Sequence, residues 1–334
     1  MDLVAVEREG NVLSLRAPAG MSFLSSQRTI GDAVWLTANA YTAGGLYKCV
    51  YVEVRGDEAR VTVEDQGLLP TLFEGPDGAA WAIVTNPYGE KDVEIIRRVG
   101  GAARPSFPPF VGEPVFLDGQ VLVLVKRNPF SKTAPDRLMR YDLATDKRKI
   151  AKVPLPGNGK YLHGEEGLHA VHLRTHRLLS STGEVLRERT IDAPELFVTP
   201  VELRFDGPST ALGNDLTTLH WLEIEPDGSV RKTKLRDGSF YSLWPPQRTR
   251  DGALVVHWVG DGGNGWIVLR DGRVTSATHS TRAGWADDAG APVVTLPEGN
   301  WVLAGVSAVG RDVVIAAYEK DAKGGPVFVA RVAV

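Results

Sequence analysis

The sequence predicts an all-β chain built from about seven repeats of four antiparallel strands, with six or eight repeats as alternatives. Three observations predict it. Short runs rich in β-branched residues recur, among them Val121-Leu122-Val123-Leu124-Val125, Leu254-Val255-Val256 and Asp312-Val313-Val314-Ile315. Turn-forming residues bound most of these runs, which is the signature of strands joined by tight turns. The 36 glycines and 21 prolines are scattered between the runs, and no segment of helical length carries an amphipathic stripe with matching caps.

The third observation is a repeat. A turn followed at once by an apolar strand appears at Gly31-Asp32, Asp77-Gly78, Asp118-Gly119, Glu166-Gly167, Asn214-Asp215, Asp251-Gly252 and Glu298-Gly299. Counted from the second turn residue, the spacings are 46, 41, 48, 48, 37 and 47 residues. A period of this size is that of a four-stranded unit repeated around an axis. Asp-Gly and Glu-Gly suit hairpins because both central positions of the favoured turn need positive φ. Each anchor is therefore expected between the first and second strands of its repeat. Third and fourth strands follow, as in Arg137 to Leu143 with Arg148 to Ala151, and in His176 to Ser181 with Glu184 to Arg189.

This layout resembles the β-propeller superfamily. The segment Leu138-Met139-Arg140-Tyr141-Asp142-Leu143-Ala144-Thr145 is similar to the outer hairpin of quinoprotein-like or surface-layer-type propellers. The glycine-histidine and tryptophan-aspartate pairs of the WD40 type do not occur. The resemblance implies one domain over residues 1–334, a seven-bladed propeller of four-stranded antiparallel blades. The N-terminal hairpin within residues 1–18 would complete the last blade beside Val327 to Val332. If the last anchor is instead Gly310-Arg311-Asp312, the final blade shifts by one strand and the hairpin fits better. Both registers stay open in the sequence.

Composition narrows the function. The 334 residues are 43 % hydrophobic and 24 % charged, with a net charge of −3, so no global field draws the chain to nucleic acid or anionic lipid. Cys49 is the single cysteine, which excludes an intrachain disulfide and fits a reducing, cytoplasmic setting. No apolar stretch approaches the roughly 20 residues that span a bilayer. No motif calls for a cofactor.

Three successive repeats carry a matching tripeptide after the second strand: Asn39-Ala40-Tyr41, Asn86-Pro87-Tyr88 and Asn128-Pro129-Phe130. Their aromatics are read either as spacers between blades or as a patch for a protein partner. Residues 126–152 hold nine basic against three acidic side chains. Lys126, Arg127, Lys132, Arg148 and Lys149 mark a basic patch that protects a sheet edge or docks an acidic surface. Nucleic-acid binding is not expected from it.

His163, His169, His172 and His176 cluster in one repeat, but strand geometry points His169 and His172 to opposite faces, so no metal site is expected. Gly260-Asp261-Gly262-Gly263-Asn264-Gly265 lacks the Lys-Ser/Thr ending of a phosphate loop and reads as a hairpin turn. Trp35 and Trp81 stand where aliphatics stand in other repeats and read as core. Trp285 sits in residues 281–290, expected as a mobile loop, with Asp287 and Asp288 beside it as an enzyme-like candidate or a partner contact. Without a nucleophile motif, the expected function is a non-enzymatic interaction scaffold within a larger assembly. The alternative is a metal-dependent hydrolase or lyase with its site at the channel mouth.

Overall fold

A computed structural model describes residues 4–10, 12–16, 21–41, 47–56, 58–65, 68–86, 93–102, 110–117, 119–126, 136–155, 160–164, 166–172, 174–180, 182–194, 196–319 and 327–334. Among these, the one helical element is a 3-10 turn at Pro76–Gly78, and everything else is antiparallel strand or connection. The chain divides into two compact units, Met1–Ala103 with Tyr241–Val334, and Arg104–Phe240.

The first unit opens with the hairpin β1 (Val4–Glu9) and β2 (Val12–Arg16). A four-stranded sheet follows, of β3 (Met21–Ile30), β4 (Ala33–Tyr41), β5 (Tyr47–Arg55) and β6 (Glu58–Asp65). Next come three strands, β7 (Leu68–Glu74), β8 (Ala80–Asn86) and β9 (Val93–Arg98). In the second unit, three four-stranded sheets succeed one another. They are β10 (Phe110–Leu117) to β13 (Lys147–Leu155) through β11 (Gln120–Lys126) and β12 (Asp136–Asp142); then β14 (Lys160–Gly164), β15 (Gly167–His172), β16 (Thr175–Leu179) and β17 (Val185–Thr190). The third is β18 (Phe197–Glu202), β19 (Ser209–Asn214), β20 (Thr218–Ile224) and β21 (Val230–Asp237).

The first unit resumes with two short strands, β22 (Ser242–Leu243) and β23 (Gln247–Arg248), which both pair with β24 (Leu254–Gly260). The sheet continues through β25 (Gly263–Arg270) and β26 (Arg273–Thr281), which leaves β25 after Ala277 and pairs with β27 (Gly284–Asp287) and then β28 (Pro292–Thr295). Last come β29 (Trp301–Val309), β30 (Asp312–Glu319) and β31 (Val327–Ala333). The N-terminal hairpin lies against them: Val12 pairs with Ala330 and Leu15 with Val327.

Burial explains why these residues make such sheets. The middle strands β24 and β25 are buried on both faces over most of their length, matching their runs Leu-Val-Val-His-Trp and Trp-Ile-Val-Leu. The outer strands β17 and β21 are mostly exposed, and their sequences are correspondingly rich in Arg, Lys and Glu. Cores form between facing sheets. Val34, Leu36, Val50 and Val52 meet Leu13, Leu15, Val314 and Val329 in one of them. Side chains also lock sheet to sheet. The Gln27 amide donates to the Val314 carbonyl at 2.8 Å, and Gln247 bridges to Val306 at 3.2 Å and to the Ala308 N–H at 3.0 Å.

Two anchor turns fall elsewhere than expected. Asn214-Asp215 joins the second and third strands of its sheet, not the first and second, which are joined through residues 203–208. Glu298-Gly299 precedes the first strand of the last sheet, and Gly310, with φ of 60°, makes the turn between β29 and β30. Any two antiparallel strands accept the same turn chemistry, so the turn alone does not number the strands it joins.

Candidate functional site

One end of the β22–β28 sheet carries a strip of exposed aromatic and charged groups. Pairing of Ser242 with Val259 brings Tyr241 beside the β24–β25 turn, where its hydroxyl donates to the Asp261 carboxylate. Pro245 and Pro246 end this segment, because neither can donate to a ladder. Between them and β22 stands Trp244, whose ring stacks on His257 at 4.2 Å and 14°. Tyr241 is 56 % and Trp244 44 % exposed, while His257 is 6 % exposed. Burial holds the His257 imidazole down to a pKa of about 4, so the ring beneath Trp244 is neutral.

The next hairpin carries the strip onward. The Asn264 N–H donates to Ser280 Oγ at 3.2 Å, and Trp285 Nε1 donates to the Asn264 carbonyl at 3.2 Å. Beyond Ser280 opens a cleft of about 620 Å³. It is lined by Ser280, Thr281 and Arg282 from the end of β26, and by Glu298, Gly299, Asn300 and Trp301 from the segment entering β29. Two backbone bonds tie these segments together, Leu296 N–H to Ala283 O at 2.9 Å and Gly299 N–H to Arg282 O at 2.8 Å. Trp301 is fixed as a wall by its Nε1 bond to the Pro297 carbonyl at 2.7 Å and by edge-on packing against Phe328. The Thr281 hydroxyl is turned onto the Gly284 carbonyl at 3.2 Å. The strip thus offers charges of both signs, two exposed aromatics and a concave wall, which are groups for recognition. Among the described residues, no group of three or more His, Cys, Asp or Glu side chains is placed to hold a metal ion.

The sequence candidates fall as follows. Asn39 and Tyr41 lie within β4, paired with Cys49 and Tyr47, and not in a loop beyond it. Asn86 is the last residue of β8. Tyr88, Asn128 and Phe130 lie outside the described residues, as do Arg127 and Lys132. Lys126 ends β11, and Arg148 and Lys149 are exposed on the fourth strand of their sheet. Trp285 differs most from expectation. The segment expected as a mobile loop is the β27 hairpin, and Trp285 is fully buried against Trp266 with ring centroids 6.4 Å apart. A large indole gains far more inside such a core than at a polar hairpin tip, so it offers no surface to a partner. Asp287 caps the turn, accepting from the Ala289 and Ala291 N–H groups at 2.9 and 2.8 Å. Sequence reasoning passed over Tyr241, Trp244, Arg282 and Glu298. The pair of aromatics just before Pro245-Pro246 was the available signal, since the prolines end the segment around β22 that carries them.

The histidine cluster resolves into a buried polar network in the second unit. His169 on β15 and His176 on β16 are hydrogen-bonded at 2.9 Å, and Arg189 on β17 donates to His176 Nδ1 at 3.1 Å. Arg189 also reaches the neighbouring sheet, donating to Ser209 Oγ and the Arg204 carbonyl at 2.6 Å each and to the Glu225 carbonyl at 3.0 Å. In the first unit, Arg97 pairs with Glu64, both 8 % exposed, beside the buried Cys49 and Tyr51. Burial pushes the Cys49 thiol up to about 11 and the Tyr51 phenol up as well. No helix among the described residues is long and apolar enough to cross a membrane.

The sequence matches no family model and no curated protein. Solved structures do match. A puromycin-hydrolyzing peptidase of Mycobacterium tuberculosis aligns over 95 % of this chain and 51 % of its own, at 15 % identity and a TM-score of 0.59. The β-propeller domain of the Trilobed protease from Pyrococcus furiosus, described as having an open velcro topology, aligns over 92 % of this chain and 95 % of its own, at 11 % identity and a TM-score of 0.57. Prolyl oligopeptidase B from Galerina marginata aligns over 95 % of this chain and 50 % of its own, at 10 % identity and a TM-score of 0.57. This chain therefore spans about half the length of two of these peptidases. At such identities the likeness shows the fold, a β-propeller. The same neighbours overturn the expectation of a non-enzymatic interaction scaffold, because the matching structures are those of a peptidase, a protease's propeller domain and a prolyl oligopeptidase.

Proposed function

We propose that this chain is the propeller part of a peptide-hydrolysing system, and that its sheet-end strip meets the peptide while the bond-breaking groups lie outside these residues. The observation that carries this reading is the pair of peptidases matched over 95 % of this chain, in each of which about half the length has no counterpart here. The strip fits the role: Tyr241 and Trp244 offer aromatic faces to side chains, and the Arg282–Glu298 cleft offers charges to polar ones. In this reading the seven sheets among the described residues are seven blades of one domain, with the N-terminal hairpin as part of the last.

The test is native purification of the chain from its host, followed by assay of the eluate on fluorogenic peptidyl amides. Hydrolysis that co-elutes with the chain, and is lost when the chain is removed by antibody, is the expected result. An eluate that cleaves no peptidyl amide, over a panel of aminoacyl and prolyl leaving positions, overturns the reading.

A further inference from the structure

Several surface arginines of the first unit form ion pairs, among them Arg55 with Asp32 at 2.7 Å, Arg270 with Asp251 at 2.9 Å and Arg331 with Asp312 at 3.3 Å. Arg282 and Glu298 line one cleft, both exposed, and neither forms an ion pair or side-chain hydrogen bond among the described residues. Their backbones are held together, since the Gly299 N–H donates to the Arg282 carbonyl at 2.8 Å. The two charges are thus presented from a preset frame and remain available to a ligand.

The signs restrict that ligand. A simple anion attracted by Arg282 meets the carboxylate of Glu298, and a simple cation attracted by Glu298 meets Arg282, so each charge discriminates against the other's partner. A molecule carrying both an ammonium and a carboxylate satisfies both. The cleft, at about 620 Å³, lies in the size range of small-molecule sites and exceeds what a single amino acid fills. Asn300 is exposed in the same wall and brings an amide that can pair with a peptide group, while Trp301 closes one side. We infer that this cleft binds short peptides with both termini free, Glu298 taking the α-ammonium and Arg282 the α-carboxylate. The inference rests on the peptide reading above and adds to it a preference for product-like fragments over chain interiors.

Calorimetric titration of the purified chain with trialanine, acetyl-trialanine, trialaninamide and acetyl-trialaninamide tests it. Trialanine is expected to bind, and blocking either terminus to weaken binding about fivefold, the scale of one exposed charge-assisted contact. Arg282→Ala should erase the penalty of amidation and keep that of acetylation, and Glu298→Gln should do the reverse. Both residues are exposed, so neither change threatens folding. Equal binding of all four probes, no binding of trialanine, or variants that keep both penalties would each overturn the inference. The two readings fail separately. Peptide hydrolysis in the native eluate without trialanine binding removes only this one, and trialanine binding without hydrolysis removes only the other.

Discussion

His176 and His169 share a buried hydrogen bond of 2.9 Å whose direction is set by a third residue. Arg189 can only donate, and its Nε–H points at His176 Nδ1. His176 therefore carries its proton on Nε2 and donates it to His169 Nδ1, which leaves the His169 proton on Nε2. Burial, then the nearby Arg189 and His169, hold His176 down to a pKa of about 3. The second unit is thus pinned by an arginine that joins two sheets through a neutral histidine pair.

Removing that arginine should be costly. Arg189→Met strips partners from His176, Ser209 and two backbone carbonyls at once, and removes a guanidinium lying 5.0 Å over the Phe205 ring. A loss of about 3 kcal/mol or more is expected in urea unfolding. Arg189→Lys should recover little, because one ammonium cannot reproduce the planar fork. A loss below about 1 kcal/mol would show that water replaces these bonds freely.

Acid should destabilise the fold through its buried histidines. In the unfolded chain His176 and His257 take up protons near pH 6.5, but in the folded chain only near 3 and 4. Their contribution is therefore fully present above pH 6.5 and lost as pH falls, by about 1.4 kcal/mol per pH unit for each group. His257→Phe keeps the stack under Trp244 and should flatten the dependence by about one proton. Urea midpoints of both proteins between pH 7 and 4.5 measure it, and parallel curves would count against the assignment.

Cys49 should be silent in the native state. It is fully buried and its thiol is raised to about 11, so little thiolate exists at pH 8 and none is accessible. Modification by an aromatic disulfide reagent is expected only on unfolding, at a rate that follows the urea transition. Full labelling in buffer within minutes would mean that the β3–β6 sheet opens locally.

The N-terminal hairpin should matter for solubility as well as stability. Deleting residues 1–18 removes Leu13 and Leu15, each 6 % exposed, and uncovers the β31 edge at Val327 and Val329. The lost burial is worth about 1.5–3 kcal/mol per large side chain, and an open apolar edge invites strand addition. A lower Tm with aggregation on concentration is the expected outcome in thermal and light-scattering measurements. An unchanged Tm would show that β31 holds without its neighbour.

Local chemistry in the chain determined that it would form strands, where most of the hairpins turn, and which strands face water. Val121 to Val123 is buried, Arg148 and Lys149 are exposed, and Gly31 turns with φ of 60°, all as their residue types require. Tertiary structure alone decided strand order and company. Asn214-Asp215 has the same turn chemistry wherever its hairpin lies, and only its neighbours make it a link between second and third strands. Trp285 reads as a loop residue until Trp266 is placed beside it, and Arg282 and Glu298 become one cleft only where the β26–β27 turn meets the segment entering β29. The reason is range: turns and alternation are set by adjacent residues, whereas burial and pairing depend on residues brought together from distant points of the chain.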